Sequence, residues 1–244
     1  MTDTLPTPPA HLRVTDPREM AERLADAARV LIDEPTAQQT FDRTVALAVD
    51  MIPGCTAAGI SLVTRKGVRT AAATDNAVRA GDQLQYDLDE GPCIDAIREH
   101  ELVLSGDVEV DPRWPRWGPA VASTLGVRSM MCFRLYTSET KHGAINLYSD
   151  TREAFSTADE PMLAIFAGVA AAAMTSAETR DQLTSAIATR MVIGQAQGIL
   201  MERFKLSATN AFAVMSRLSQ DTNTKLVVVA QEIVATREVP GTSH

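Results

Sequence analysis

Residues 190–225 hold the side chains best suited to gripping a polyanion. Five cations (Arg190, Arg203, Lys205, Arg217 and Lys225) stand against two carboxylates, Glu202 and Asp221. Within this stretch runs Ser219-Gln-Asp-Thr222-Asn223-Thr-Lys225, which gathers hydroxyls, an amide and an ammonium in one short segment. Such groups bond to phosphate oxygens and base edges. The same hydroxyls and amide are also what caps a following helix, and both roles can coexist. The positive surplus is well short of the strongly basic footprint of many nucleic-acid binders, so composition alone does not point to nucleic acid.

Cys55, Cys93 and Cys132 are the other candidates for chemistry. They are odd in number and widely spaced, with no CxxC pair, so neither a disulfide framework nor a zinc site is indicated. Buried free thiols are the ordinary outcome. Cys93 opens a short helical pattern, a position that can lower a thiol's pKa. Thiol exchange also needs a resolving thiol beside the nucleophile, and the spacing does not supply one. None of the four histidines sits in a phosphoacceptor helix and no glycine-rich nucleotide module is present, which excludes a histidine kinase.

Prolines map the elements that must position these groups. Eleven of the twelve lie at or before Pro161 and the last is Pro240, so 162–239 is open to long helix. Thr157-Ala-Asp-Glu160 reads as a capping box with Pro161 in the tolerant first turn. No turn signal follows until Lys205-Leu206-Ser207, and a helix of that length suggests a coiled coil. Leu163, Phe166, Ala170, Ala173, Ala177, Thr184 and Ile187 form its seam in 3–4 spacing, broken at Arg180, and the same helix of a second subunit is the partner this spacing suits. Two helices with an unmarked break near Thr184 are the alternative.

Before Pro161 the pattern is α+β. Asp16-Pro17 opens one helix, and Pro35 separates it from a second over 36–51. Strand-like runs follow at 58–63, 68–74, 103–105, 129–136 and 143–148, bounded by turn signals such as Lys66-Gly67 and His142-Gly143. A helix at 92–100 and a tryptophan-bearing loop, DPRWPRWGPA, fill the middle. The expected layout is an antiparallel sheet of five or six strands flanked by helices.

Charge divides the chain. Residues 1–176 carry 16 basic and 25 acidic groups, a net −9, whereas 177–244 carry 7 and 6, a net +1. Apolar residues make up 45%, ordinary for a globular protein. No uninterrupted apolar run reaches the roughly 18 residues of a membrane span. The polar, proline-rich start lacks a signal-peptide pattern, so the expected location is cytoplasmic, with no membrane partner and residues 1–15 as a disordered tail. Arginine at 19 against lysine at 4 hints at a GC-rich bacterial genome.

The segments DEGPCIDAIRE (89–99), DPRWPRW (111–117), LGVRSMMCFRLY (125–136), HGAINLYSD (142–150) and FSTADEPMLAIFA (155–167) together resemble the GAF sensor domain. The tail resembles the ANTAR domain, the RNA-binding module of transcription antiterminators. That match runs through Arg190, Ile193, Ala196, Gly198, Leu200, Met201, Ser207, Ala211, Phe212, Ser219, Thr222, Asn223, Lys225, Leu226, Val229 and Ala230. The two resemblances imply an α+β sensor over 16–175, a connecting coiled coil over 157–189 and a three-helix ANTAR bundle over 190–237. They imply a homodimeric antitermination regulator that grips tandem stem-loop RNA through two ANTAR units, with avidity when both loops are in reach.

The RNA-binding residues so expected are Arg190, Gln197, Arg203, Lys205, Arg217, Ser219, Thr222, Asn223 and Lys225. Glu90, Cys93 and Asp95 are the expected lining of a sensor pocket for a small-molecule signal, with no dedicated cofactor residue evident. Two other functions compete: a GAF regulator whose helical tail binds DNA or a protein, and a GAF-type methionine sulfoxide reductase. The first has the same sensor, while the second has no use for the tail.

On a helix advancing 100° per residue, Ile193, Ala196, Leu200 and Phe204 share the core face. Gly194, Gly198, Met201 and Lys205 share an adjacent flat side. Each glycine inside a helix costs about 1 kcal/mol relative to alanine, which marks close approach by a helix, a backbone or a ligand. Tight packing inside the bundle is the first expectation for them, and approach by an RNA backbone the second. The second helix is expected to bury Ala211, Val214, Met215 and Leu218, and the third Leu226, Val229, Ala230 and Ile233. Phe204 and Phe212 are assigned to the core, so base stacking is not expected. Gln197 departs from the family's frequent lysine, and Val228 leaves an apolar spot on the surface.

Overall fold

The computed structural model describes residues 16–99, 101–136 and 141–238. The tail 1–15, His100 and Pro240 lie outside them, as does the His142 side chain. The chain divides into two compact units, Met1–Glu178 and Thr179–His244.

The first unit runs α1 (Pro17–Asp33), α2 (Ala37–Met51), β1 (Ala57–Thr64), β2 (Gly67–Ala73), α3 (Asn76–Leu88), α4 (Pro92–Arg98), β3 (Leu102–Ser105), α5 (Trp117–Leu125), β4 (Ser129–Tyr136) and β5 (Lys141–Ser149). It ends within α6 (Glu160–Phe204), one unbroken helix of 45 residues, so the break near Thr184 does not occur. The strands pair antiparallel in the order β2-β1-β5-β4-β3. Strand alternation builds two cores. Met131, Phe133, Leu135, Ile145 and Leu147 join residues of α1, α2 and α6 in one cluster. Met130, Cys132, Ala144 and Tyr148 join residues of α3, α4 and α5 in the other.

Several elements differ from expectation. The helix α3 was not anticipated, although Asp75 caps it by accepting from the Val78 N–H at 2.8 Å. Part of the tryptophan loop is helix, because Trp117 begins α5 with Gly126 in the left-handed stop position. Gly143 lies inside β5 and is paired with Leu62 and Leu135, so His142-Gly143 is no turn. The capping box exists one residue earlier than read: Ser156 and Asp159 exchange bonds, and a 3-10 turn at Thr157–Asp159 precedes α6.

The expected seam is divided between two environments. Leu163, Phe166, Ala170, Ala173 and Ala177 are buried in the first unit's own core, while Thr184 and Ile187 are exposed. The 3–4 spacing of the first five therefore serves an intramolecular face, which the same periodicity fits equally well. α6 also contains an 18-residue window of mean hydropathy 1.4, long and apolar enough to cross a membrane, with half of that window buried in the protein. Alanines raise its average without any uninterrupted apolar run of that length.

The second unit comprises the rest of α6, α7 (Ala208–Asp221) and α8 (Leu226–Thr236). Its core is Ala196, Leu200, Ala211, Met215, Val229, Ala230 and Ile233, with Ile193, Val214, Leu218 and Leu226 partly buried against it. Lys205, at φ 53°, turns the chain after α6, and Ser207 caps α7 by accepting from the Asn210 N–H.

Candidate functional site

The nine residues expected to meet RNA fall into three groups by what their side chains do. Arg190, Asn223 and Lys225 are exposed, and no described neighbour bonds their side chains. Lys225 occupies the N-cap of α8 without a side-chain cap bond. Asn223 holds a left-handed backbone, φ 50°, which asparagine tolerates better than most residues. Lys205 and Arg217 make exposed ion pairs, with Glu202 at 3.1 Å and Asp221 at 3.7 Å. Such pairs contribute little to stability, and a phosphate can compete for either cation.

The remaining four are already engaged in the fold. Gln197 Nε2 donates to the Ala208 carbonyl at 2.6 Å, tying α6 to the first turn of α7. The Arg203 guanidinium donates to the carbonyl of Arg237, the left-handed residue that ends α8. Ser219 Oγ donates to the Thr224 carbonyl at 2.6 Å and Thr222 Oγ1 to the Leu218 carbonyl at 2.7 Å. These hydroxyls close the α7–α8 loop and the end of α7, rather than capping α8 as the sequence suggested. Gln197→Ala is expected to lower stability by about 0.5–1 kcal/mol through loss of one half-exposed hydrogen bond. Its salt dependence of RNA binding should match the parent, read from denaturation and titration side by side.

The nine do not form one patch. Ser219, in the last turn of α7, and Thr222, Asn223 and Lys225, which follow it, share the α7–α8 junction, whereas Arg203 and Lys205 sit where α6 ends, beside the end of α8. The 11 residues of α8 separate these places by about 16 Å at 1.5 Å per residue.

Two aromatics read as core are on the surface: Phe204 is 48% exposed and Phe212 44%. Phe204 is the last residue of α6, where the bundle no longer covers the core stripe. Phe212 sits 100° around the helix from Ala211, a displacement legible from the helical wheel. The Arg203 guanidinium lies 5.7 Å from the Phe204 ring. This end of the tail thus carries an exposed aromatic among cations, a combination suited to base stacking. Val228 is exposed as expected.

Gly194 and Gly198 do not pack inside the bundle. A Cβ added at either would have nothing within 4 Å, so among the described residues no packing contact offsets their cost of about 1 kcal/mol each.

In the first unit, a polar network fills the space between the sheet and α3 and α4. Asp82 is fully buried and accepts from Tyr148 at 2.5 Å, Asn146 at 2.8 Å and Thr70 at 2.9 Å. Asn146 also donates to Ser61, whose hydroxyl is bonded to Tyr86 and to the Cys93 thiol. Burial, only partly offset by those three hydrogen bonds, pushes the Asp82 pKa up to about 6. Among the described residues, Asn146 Oδ1 is a buried side-chain acceptor with no partner. The signal for this network was the run of polar residues on strand and helix positions that face the core, namely Ser61, Asp82 and Asn146. A groove of about 160 Å³ beside it is lined by Thr56, Asp75, Val78, Leu125, Tyr148 and Asp150, among others.

The three residues expected to line a pocket serve other contacts. Glu90 accepts from the backbone N–H groups of Arg116 and Trp117 at the start of α5. Asp95 accepts from the Trp114 indole at 2.8 Å. Cys93 is buried, and its N–H donates to Gln85 Oε1 at 2.8 Å. Gly91 lets the chain pass this side chain, because a Cβ there would fall 2.4 Å from the same oxygen. Burial pushes the Cys93 and Cys55 thiols up to about 12 and raises Cys132 as well. All three are the buried free thiols expected from the sequence, and at Cys93 desolvation outweighs any lowering by the helix terminus.

Comparisons with known proteins fit this arrangement. The free methionine-R-sulfoxide reductase of Neisseria meningitidis superposes with a TM-score of 0.54 at 19% identity, covering 70% of this chain and 97% of that one. The GAF domain of an Acinetobacter phosphoenolpyruvate-protein phosphotransferase gives 0.53 at 14% identity, covering 67% and 98%. The corresponding domain from Coxiella burnetii gives 0.53 at 14%, covering 68% and 98%. At these identities the likeness is one of fold. No curated protein matches the chain. Family models match a GAF domain over residues 34–175 and an ANTAR domain over 181–234. The chain therefore belongs to the GAF family over more than half its length and joins that sensor to an ANTAR domain, as a regulator of the ANTAR type.

Proposed function

We propose that this protein is an RNA-binding antitermination regulator of the cytoplasm, in which the GAF sensor governs how ANTAR units grip tandem stem-loop RNA. The observation that carries the reading is the ANTAR match over 181–234, on a compact three-helix unit that leaves Arg190, Asn223 and Lys225 exposed. Lys205, Arg217 and the Phe204 ring extend the RNA contact. Gln197, Arg203, Ser219 and Thr222 shape the surface that RNA meets and add backbone contacts only where their internal bonds permit.

Two copies act together, each taking one loop, because one weakly charged module needs avidity. A small molecule near the Asp82 network is the signal. α6 transmits it, since this one helix supplies Leu163 and Phe166 to the sensor core and Ala196 and Leu200 to the tail core. Enzymatic thiol chemistry does not fit cysteines that burial keeps protonated.

A paired stem-loop RNA and each of its single hairpins, titrated with the full chain, test this reading. The tandem RNA is expected to bind about 10²-fold tighter than either hairpin. Equal affinity for all three would remove the two-unit grip.

A further inference from the structure

We propose that Phe204 is a stacking platform for one unpaired base of an RNA loop, backed by the guanidinium of Arg203. The inference rests on the RNA reading above and assigns part of the affinity to a contact that carries no charge. It reverses an expectation of the sequence, in which this ring belongs to the core and no base stacks on the tail.

The local fold prepares the ring. Phe204 is the last residue of α6 and continues the side of that helix on which Ala196 and Leu200 are buried. Inside a helix a side chain is flanked by neighbours three and four residues further on, and α6 has none beyond Phe204. Lys205, at φ 53°, turns the chain instead, and the ring is left 48% exposed. Fully burying such a side chain is worth about 1.5–3 kcal/mol, so much of that gain stays unrealised until something covers the ring.

Arg203 is held twice. Its guanidinium donates to the Arg237 carbonyl at the end of α8 and lies over the Phe204 ring, 5.7 Å from the centroid. The carbonyl bond fixes this cation to the bundle, so it serves as a support. A cation over one face is attracted by the ring's quadrupole and leaves the opposite face to a flat partner.

The setting selects the occupant. Arg203 and Lys205, both exposed, bracket Phe204, and Lys205 is engaged only by the exposed Glu202 carboxylate at 3.1 Å. The core of a protein interface is depleted in charge, so a ring set between two cations suits a protein partner poorly. Single-stranded nucleic acid brings flat bases on a polyanionic backbone, which aromatic rings among cations accommodate. In a paired stem the base faces are already stacked, so the contact falls on a loop. Phe212, the other exposed ring of the tail, is flanked by Ala211 and Ala213 and lacks that setting.

Titration of the full chain against a single RNA hairpin tests the assignment, with thermal melting to verify folding. Phe204→Ala should weaken binding about tenfold, the loss of one base–aromatic stack. The slope of log affinity against log salt should stay at the parent's value, because no cation is removed. Phe204→Tyr should keep the parent's affinity, whereas Phe204→Leu, apolar but without a flat π face, should lose as much as the alanine. Replacing the loop bases one at a time by abasic sites should reveal one position where the parent loses about tenfold and Phe204→Ala loses nothing further. Equal losses in both chains at every position, or parental affinity in Phe204→Leu, overturns the stack and spares the RNA reading. A parent chain that binds neither the hairpin nor a tandem stem-loop RNA overturns both.

Discussion

Replacing Arg190 and Lys225 together with alanine is expected to weaken binding of a paired stem-loop RNA by about 30-fold at 0.1 M salt. The figure follows from counterion release, where each lost phosphate contact removes roughly five- to eightfold at that concentration. Both side chains are exposed and outside any described internal bond, so the fold should melt as before. The slope of log affinity against log salt should fall by about one for each cation removed. Arg203→Ala should behave differently, because its guanidinium holds the carbonyl at the end of α8. There the loss appears first in the stability of the tail. A double variant that binds RNA with the parent's affinity and slope would move the interface elsewhere.

The second large effect concerns Asp82. Its folded pKa, about 6, stands above the ordinary 3.8, so between those values the folded chain holds a proton that the unfolded chain has released. Stability then falls as pH rises through that window. The full penalty, on the order of 3 kcal/mol, is present above pH 6 and absent below the unfolded value. Other carboxylates work in the opposite direction: Arg113 and Ser105 hold Asp111 below its ordinary range despite partial burial. The contribution of Asp82 is therefore isolated by difference. Asp82→Asn should remove the decline between pH 4 and pH 6 and leave the chain relatively more stable at pH 7. Asp82→Ala should destabilise by several kcal/mol, because Tyr148, Asn146 and Thr70 each lose a buried partner, at about 1–3 kcal/mol per unsatisfied group. Chemical denaturation across this pH range reads both. An unchanged pH profile in Asp82→Asn would show that the carboxyl is not protonated near pH 6.

The sequence and structure agree where periodicity alone decides. The five strands, the cap at Asp16, the stop at Lys205 and the core sets of α7 and α8 all follow from alternation, capping and a period of 3.6. Agreement ends where the partner of a face must be known. Leu163, Phe166, Ala170, Ala173 and Ala177 have the spacing of an intermolecular seam, yet they meet α1, α2 and the sheet, and no local pattern distinguishes those cases. Phe204 and Phe212 look like core by residue type but lie at a helix end and off the stripe. The reading of the cysteines as buried free thiols holds for all three, and the lowering that a helix start can give Cys93 does not arise, because of the desolvation that only the fold reveals. Glu90 and Asp95, assigned to a pocket, instead anchor α5 and Trp114. The polar residues Ser61, Asp82 and Asn146 at core-facing positions were a signal one by one, but their meeting was not legible because the Asp82 network draws its members from β1, β2, α3, α4 and β5.

The candidate RNA residues show the same limit. Sequence alone groups Gln197, Arg203, Ser219 and Thr222 with Arg190, Asn223 and Lys225 by chemical type. Only the tertiary bonds separate side chains that hold the bundle from those that remain available. Gln197, which departs from the family's frequent lysine, is engaged with Ala208, so its amide acts in folding whatever it adds to binding.

The most direct test of RNA recognition is a titration of the full chain against a tandem stem-loop RNA, a scrambled hairpin of equal length and a duplex DNA, each at two salt concentrations. The proposed function predicts tightest binding to the tandem stem-loops at both salts, with the preference persisting as nonspecific attraction is screened. Equal affinity for all three, or a preference that vanishes at the higher salt, would contradict it.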